Sequence, residues 1–183
     1  MINTPIHTIQ EQAVNLLKNL ISTPSISREE EFTATLLQHF FEENNIRVQR
    51  HLNNVWVRNK YYNEKKPTLL LNSHHDTVRP NKGYTRDPYL ASVEEGKLFG
   101  LGSNDAGGAL VSLIAAFLNF YDEQDLQYNL LLAATAEEEI SGRNGIEALL
   151  PLMGKIDCGI VGEPTKMEMA IAERGLIVLD CVA

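Results

Sequence analysis

Cysteine is scarce: Cys158 and Cys181 are the only two in 183 residues. Two thiols so far apart in sequence exclude a disulfide-stapled secreted scaffold and make a reducing cytoplasm the expected compartment. Positive charge is also thin, with 16 Lys and Arg against 24 Asp and Glu and a net charge of −8. No basic run is present, so nucleic acid is not an expected partner. No apolar run approaches the roughly 18 to 20 residues that span a bilayer, and MINTPIHTIQ lacks the basic and apolar regions of a secretory signal. A membrane is therefore not expected either. What remains, 44% hydrophobic and 22% charged residues, is the composition of an ordinary globular domain.

Hydrophobic periodicity supplies the elements. Thr8 with Glu11 reads as a capping box before a helix striped by Ile9, Ala13, Leu16, Leu17 and Leu20. Ser22 to Ser25 turns the chain. Ser27 with Glu30 then repeats the start signal before Phe32, Leu36, Leu37, Phe40 and Phe41, and Asn44-Asn45 is a stop. Two short strands, Ile46 to Arg50 and Val55 to Arg58, form a hairpin. LLLNSHHDTV (69–78) begins as a strand buried on both faces, as in a parallel sheet, and YNLLLAATA (128–136) is a second. Between them a polar loop over 79–97 leads to a Gly-punctuated turn and a helix striped by Leu110, Leu113, Ile114, Phe117 and Leu118. A helix over 146–153, a strand running into GIVGEPT, and two strands over 169–183 turning at Glu173-Arg174-Gly175 complete an α/β pattern.

The strands end in HHD, EEE and GEP, and NDAGG opens a helix. In an open α/β sheet the carboxyl ends of the strands form the crevice where sites are built. Clustered carboxylates repel one another at low dielectric unless a cation neutralises them, and imidazole nitrogen with carboxylate oxygen suits zinc or a related divalent ion. His74 and Asp76 are two apart and share a face on an extended strand. Either His74 binds metal while Asp76 orients it from behind, or the pair belongs to a polar loop. His75 faces the other way and reads as structural. Asp105 taken alone suits a helix cap ahead of a cation ligand, the acids 137–139 a solvated run or, at the end of a central strand, a crowded rim, and Glu163 a turn or a ligand.

LNSHHDTV, LFGLGSNDAGG, ATAEEEISGRNG and GIVGEPT, in this order, resemble the dinuclear metallo-amidohydrolases of the acetylornithine deacetylase and succinyl-diaminopimelate desuccinylase family, kin to carboxypeptidase G2 and the aminoacylases. The resemblance implies a mixed, mainly parallel central sheet with helices on both faces, and two zinc or cobalt ions. It implies that His74 and Glu163 hold one ion, Glu139 the other, and Asp105 bridges them, with Asp76 behind His74 and Glu138 as general base. Relatives have Asp where this chain has Glu137, and Met-Lys-Gly where it has Ala106-Gly107-Gly108. They also complete the second ion with a histidine from the far C-terminal part, a role that His7, His39 and His51 do not fit. Residues 1–168 are accordingly expected to be the N-terminal part of a metal-binding catalytic domain, and 169–183 the entry to an inserted domain through which relatives dimerise. The implied activity is deacylation of an N-acyl amino acid in the cytoplasm, N-acetyl-L-ornithine first and its succinyl counterpart second, giving ornithine for arginine biosynthesis. A dipeptidase of the same fold, or a binding module without catalysis, are the other readings.

Overall fold

The computed structural model describes residues 6–172. A five-stranded sheet runs in the order β1 (Val48–His51), β2 (Asn54–Arg58), β6 (Asn129–Thr135), β3 (Thr68–His74), β7 (Cys158–Val161). β2 is antiparallel to both neighbours, whereas β3 is parallel to β6 and to β7. All the strands but β2 therefore run in one direction, and the sheet is mixed and, in strand direction, mainly parallel. The unbroken apolar runs in β3 and β6 mark strands covered on both faces, and every residue of β6 is buried.

Helices α1 (Ile6–Ile21), α2 (Glu31–Glu43) and α3 (Gly108–Phe120) cover one face. Leu16, Leu37, Phe41, Leu110, Ile114 and Phe117 pack there against Val55, Val57, Leu71 and Leu132. Each such large apolar side chain stabilises the fold by about 1.5–3 kcal/mol on burial. Helix α4 (Ile146–Met153) covers the other face, where Leu149 and Met153 meet Trp56, Leu70, Leu131 and Ala133. The alternation of side chains along each strand distributes neighbouring residues to these two cores.

Several local expectations change. α1 already runs from Ile6, so Thr8 lies within it, and Glu11 pairs with His7 at 3.3 Å. Glu30, not Ser27, sits at the cap of α2, and no side chain caps that end. Both residues of the expected capping box are used elsewhere, as described below. Asn45 does take the left-handed conformation (φ 57°) that stops α2. The 79–97 loop holds a small hairpin, β4 (Ser92–Glu94) with β5 (Lys97–Phe99), closed at the left-handed Glu95-Gly96 pair. Among residues 169–172 there is no strand, and the rest of that expected pair lies outside the described residues.

Candidate metal centre

β3, β6 and β7 run in parallel, so their carboxyl ends share one rim. His74 is the last residue of β3; the acids 137–139 follow β6, and Glu163 follows β7. Gly162 is tied to β3 twice: its N–H donates to Asn72 O at 2.7 Å, and its carbonyl accepts from the Ser73 hydroxyl at 2.8 Å. That double tether aims Glu163 at His74. Asp105 arrives from a wide turn over Ser103–Gly107, in extended backbone (φ −116°, ψ 100°) ahead of α3. It is therefore not the helix cap that its sequence position allowed, and its carboxylate, 57% exposed, is left to face the rim.

The His74 side chain is wholly buried. Its Nδ1 lies 3.0 Å from the backbone oxygen of Asp76, and since a carbonyl only accepts, Nδ1 carries the hydrogen. Nε2 is therefore the ring nitrogen that faces the rim, and it becomes a ligand atom once its own proton is lost. Around it stand Asp105 Oδ1 at 3.3 Å, Glu138 Oε2 at 3.6 Å and Glu163 Oε2 at 3.8 Å. His74, Asp105 and Glu139 place one ligand atom each within 4.8 Å of one another. His75 makes no part of this group. It is buried with Nδ1 2.9 Å from the Thr33 hydroxyl and Nε2 2.9 Å from Asn53 O, and burial lowers its pKa.

The carboxylate of Asp76, also wholly buried, accepts from the backbone N–H of Glu138 at 3.1 Å and of Glu139 at 3.2 Å, and from the Ser27 hydroxyl at 2.7 Å. One residue thus orients the imidazole and sets the turn that presents both acids. Glu137 separates itself from the other two. Held at φ 55°, it is buried and its carboxylate turns away to accept from the Asn144 side chain at 2.9 Å. Glu138, 53% exposed, and Glu139 are left at the rim. Ser27, Glu30, Thr33, Asn53 and Asn144 were not singled out for the site by sequence reasoning. The only signal, Ser27 with Glu30, was equally that of a capping box.

Electrostatics register the crowding. Burial works against a charged His74, but Asp76 first, then Glu163 and Glu138, outweigh it and raise its pKa to about 9. Burial raises Glu163 to about 7, with Glu138, Asp105 and Glu139 adding to the rise against His74. Burial and then Asp105 raise Glu139. Asp76 overcomes its burial through the hydrogen bonds from His74, Ser27 and the Glu138 amide and lies below its ordinary value. A rim that without a cation holds extra protons on His74, Glu139 and Glu163 is one whose donors fit a cation in their place. Distance agrees: two ligands each about 2.0–2.2 Å from one tetrahedral zinc stand roughly 3.3–3.6 Å apart, close to the His74 spacings above.

Residues 70–174 match the model of peptidase family M20/M25/M40. The chain belongs to that family. Among solved structures, an M20 metallo-carboxypeptidase from Sulfolobus solfataricus is 24% identical, with a TM-score of 0.68, over 82% of this chain and 37% of that one. Human carnosine dipeptidase 1 is 22% identical (TM-score 0.65; 86% and 39% covered). A dinuclear metal binding M20 peptidase from Bacillus subtilis is 16% identical (TM-score 0.64; 85% and 43% covered). At these identities the likeness establishes the M20 fold. This chain spans about two-fifths of the length of those structures.

The shifted groups set an expected pH dependence. In the metal-free M20 chain, folded His74 keeps its proton to about pH 9, against an ordinary value of 6.5. Its contribution to stability is complete below pH 6.5 and is lost as the pH rises through 9. Glu163 acts in the same direction between its ordinary 4.5 and about 7, because the folded state binds the extra proton. Asp76 acts oppositely: its contribution is present above the ordinary 3.8 and is lost as pH falls through its lower folded value. The melting temperature of chelator-treated protein therefore falls between pH 6 and 9, and saturating zinc flattens that fall. A midpoint that rises over the same interval would contradict these assignments.

Proposed function

We propose that this chain carries the metal-binding half-site of a divalent-metal-dependent amide hydrolase, in which His74 and Glu163 would hold one ion and Glu139 the other, with Asp105 available to both. The observation that supports this most is the buried imidazole of His74, whose Nε2 faces three carboxylates within 3.8 Å. Bound divalent ions supply Lewis acidity, which makes water acidic near neutral pH and polarises a carbonyl. Zinc or cobalt suits the nitrogen and oxygen donor set.

The remaining chemistry belongs to side chains. Glu138 stands at the rim, half exposed and 3.6 Å from His74 Nε2. As general base it takes a proton from the attacking water, whose oxygen bonds to the amide carbon; as general acid it returns that proton to nitrogen when the C–N bond breaks. Asp76 holds His74 and, through the amides of Glu138 and Glu139, keeps base and ligand at fixed spacing.

For the substrate, the reading is an N-acyl amino acid, N-acetyl-L-ornithine first and N-succinyl-L-ornithine second. The segment GYTRDPYLASVEEGKLFG, standing where acetylornithine deacetylases carry a Trp-containing, DPF-like segment, supports it through its Asp-Pro pair, although it has no Trp. A dipeptide is the second reading, favoured by the carnosine dipeptidase among the structural neighbours. A cytoplasmic homodimer, formed through sequence beyond the metal-binding part, completes the proposal. No helix of the described residues is long and apolar enough to cross a membrane. Turnover of N-acetyl-L-ornithine, N-succinyl-L-ornithine and a plain dipeptide, compared by kcat/KM in the active protein, tests the order. A preference for the dipeptide overturns the deacylase reading and keeps the hydrolase; no hydrolysis of any amide overturns both.

A further inference from the structure

Glu30 is a carboxylate with no exposure to solvent, and the chemistry above makes no use of it. An ionised side chain so placed is costly unless donors surround it. Three do, from three separate parts of the chain. Oε1 accepts from the Arg28 amide at 2.5 Å and from the Glu137 amide at 3.3 Å, and Oε2 accepts from Asn53 Nδ2 at 3.0 Å. Arg50 in turn donates to Asn53 Oδ1 at 3.3 Å.

The Glu137 amide is the instructive partner. Glu137 is the left-handed residue at which the chain leaves β6 and enters the turn of Glu138 and Glu139. Asp76 grips that turn by its next two amides. Three successive N–H groups, of residues 137, 138 and 139, thus end on two buried carboxylates, Glu30 and Asp76. Ser27 joins the same segment to Asp76, and the isolated bridge of Ile26 with Thr77 lays that segment along the end of β3. We infer that Glu30 is a positioning residue: by holding the Glu137 amide it fixes where Glu138 and Glu139 emerge at the rim, so that the loop preceding α2 is coupled to the metal centre. This rests on the metal-site reading given above.

The coupling is read as zinc affinity, measured by competition with a chromophoric chelator, together with hydrogen exchange. Glu30→Gln keeps shape but presents a donor where donors already converge. Loss of an outer partner of a metal ligand typically weakens metal binding about 10–100-fold, and at one further remove the expected loss for Glu30→Gln is about 10-fold, with helical circular dichroism retained. Leu37→Ala, which empties the core beneath the same helix, lowers the melting temperature but leaves zinc affinity within twofold of wild type. A merely structural Glu30 would behave like Leu37. Should Glu30→Gln not fold, the unaltered protein decides: zinc is expected to slow amide exchange in residues 27–31 together with 136–140. An affinity of Glu30→Gln within twofold of wild type, or zinc protection confined to 136–140, overturns the inference. Failure of the wild-type protein itself to bind zinc overturns instead the metal-site reading on which it rests.

Discussion

Glu138→Gln lowers kcat of the active enzyme by about 10²–10⁴-fold, the range that a positioned general acid–base contributes, and leaves its metal content unchanged. The amide matches the carboxylate in size, and the Glu138 backbone N–H that reaches Asp76 is untouched, so the turn keeps its shape. What disappears is proton transfer alone. Glu139→Gln provides the contrast: one donor of the His74, Asp105 and Glu139 group is weakened, and metal content falls with activity. Steady-state kinetics paired with elemental analysis of each variant separates the two roles. If Glu138→Gln lost metal while Glu139→Gln kept it, base and ligand would be exchanged. Glu137→Gln is expected to spare turnover relative to both, since its carboxylate faces Asn144 rather than the rim.

Asp76→Ala is expected to cost about 3–5 kcal/mol of stability in the metal-free chain, the range for removing one member of a buried ionic pair. Metal affinity falls about 10–100-fold, because Asp76 Oδ1, 3.4 Å from His74 Nδ1, stands with the backbone oxygen of Asp76 behind that ligating imidazole and is removed. The reason is the number of groups that this side chain serves. Without it the amides of Glu138 and Glu139 and the Ser27 hydroxyl lose their acceptor, and the wholly buried His74 loses the main source of its raised pKa. Asp76→Asn keeps one acceptor oxygen and is expected to fall between. Urea unfolding with and without zinc measures both effects. A loss under about 1 kcal/mol, the scale of a surface pair, would show that the network is not built on Asp76.

The contrast between Asp76 and Glu30 shows what the sequence could express. Asp76 was legible because an extended chain sets it two residues from His74 on the same face, although β3 itself ends at His74, and because HxD sits within a recognisable order of motifs. Buried β3 and β6 and the apolar stripes of the helices were legible for the same reason: a local period reports a local face. Glu30 was not, since its partner amide at Glu137 is 107 residues away and no period links them. The pair Ser27 and Glu30 satisfied a local capping rule, and tertiary packing used the same atoms for a distant purpose. Asp105 was open for a related reason. Its place before a helix suited a cap as well as a cation, and only the folded chain shows that the three glycines around it allow a wide turn that sets the residue at the rim. The register of 137–139 was open in sequence because three identical side chains carry no distinguishing signal; backbone hydrogen bonds to Asp76 and the left-handed Glu137 separate them.

The central claim is that the acidic rim around His74 is a divalent-metal site. Zinc titration of metal-stripped protein near pH 7.5, followed calorimetrically in two buffers of different ionisation enthalpy, tests it most directly. His74, with a pKa of about 9, is still largely protonated there, and Glu163, at about 7, retains a fraction of its proton. Ligands must be deprotonated to bind. The account predicts saturable binding that is abolished in His74→Ala and that releases about one proton per protein, a release that declines as the pH is raised past 9. No binding, or binding that releases no protons and survives His74→Ala, would contradict it.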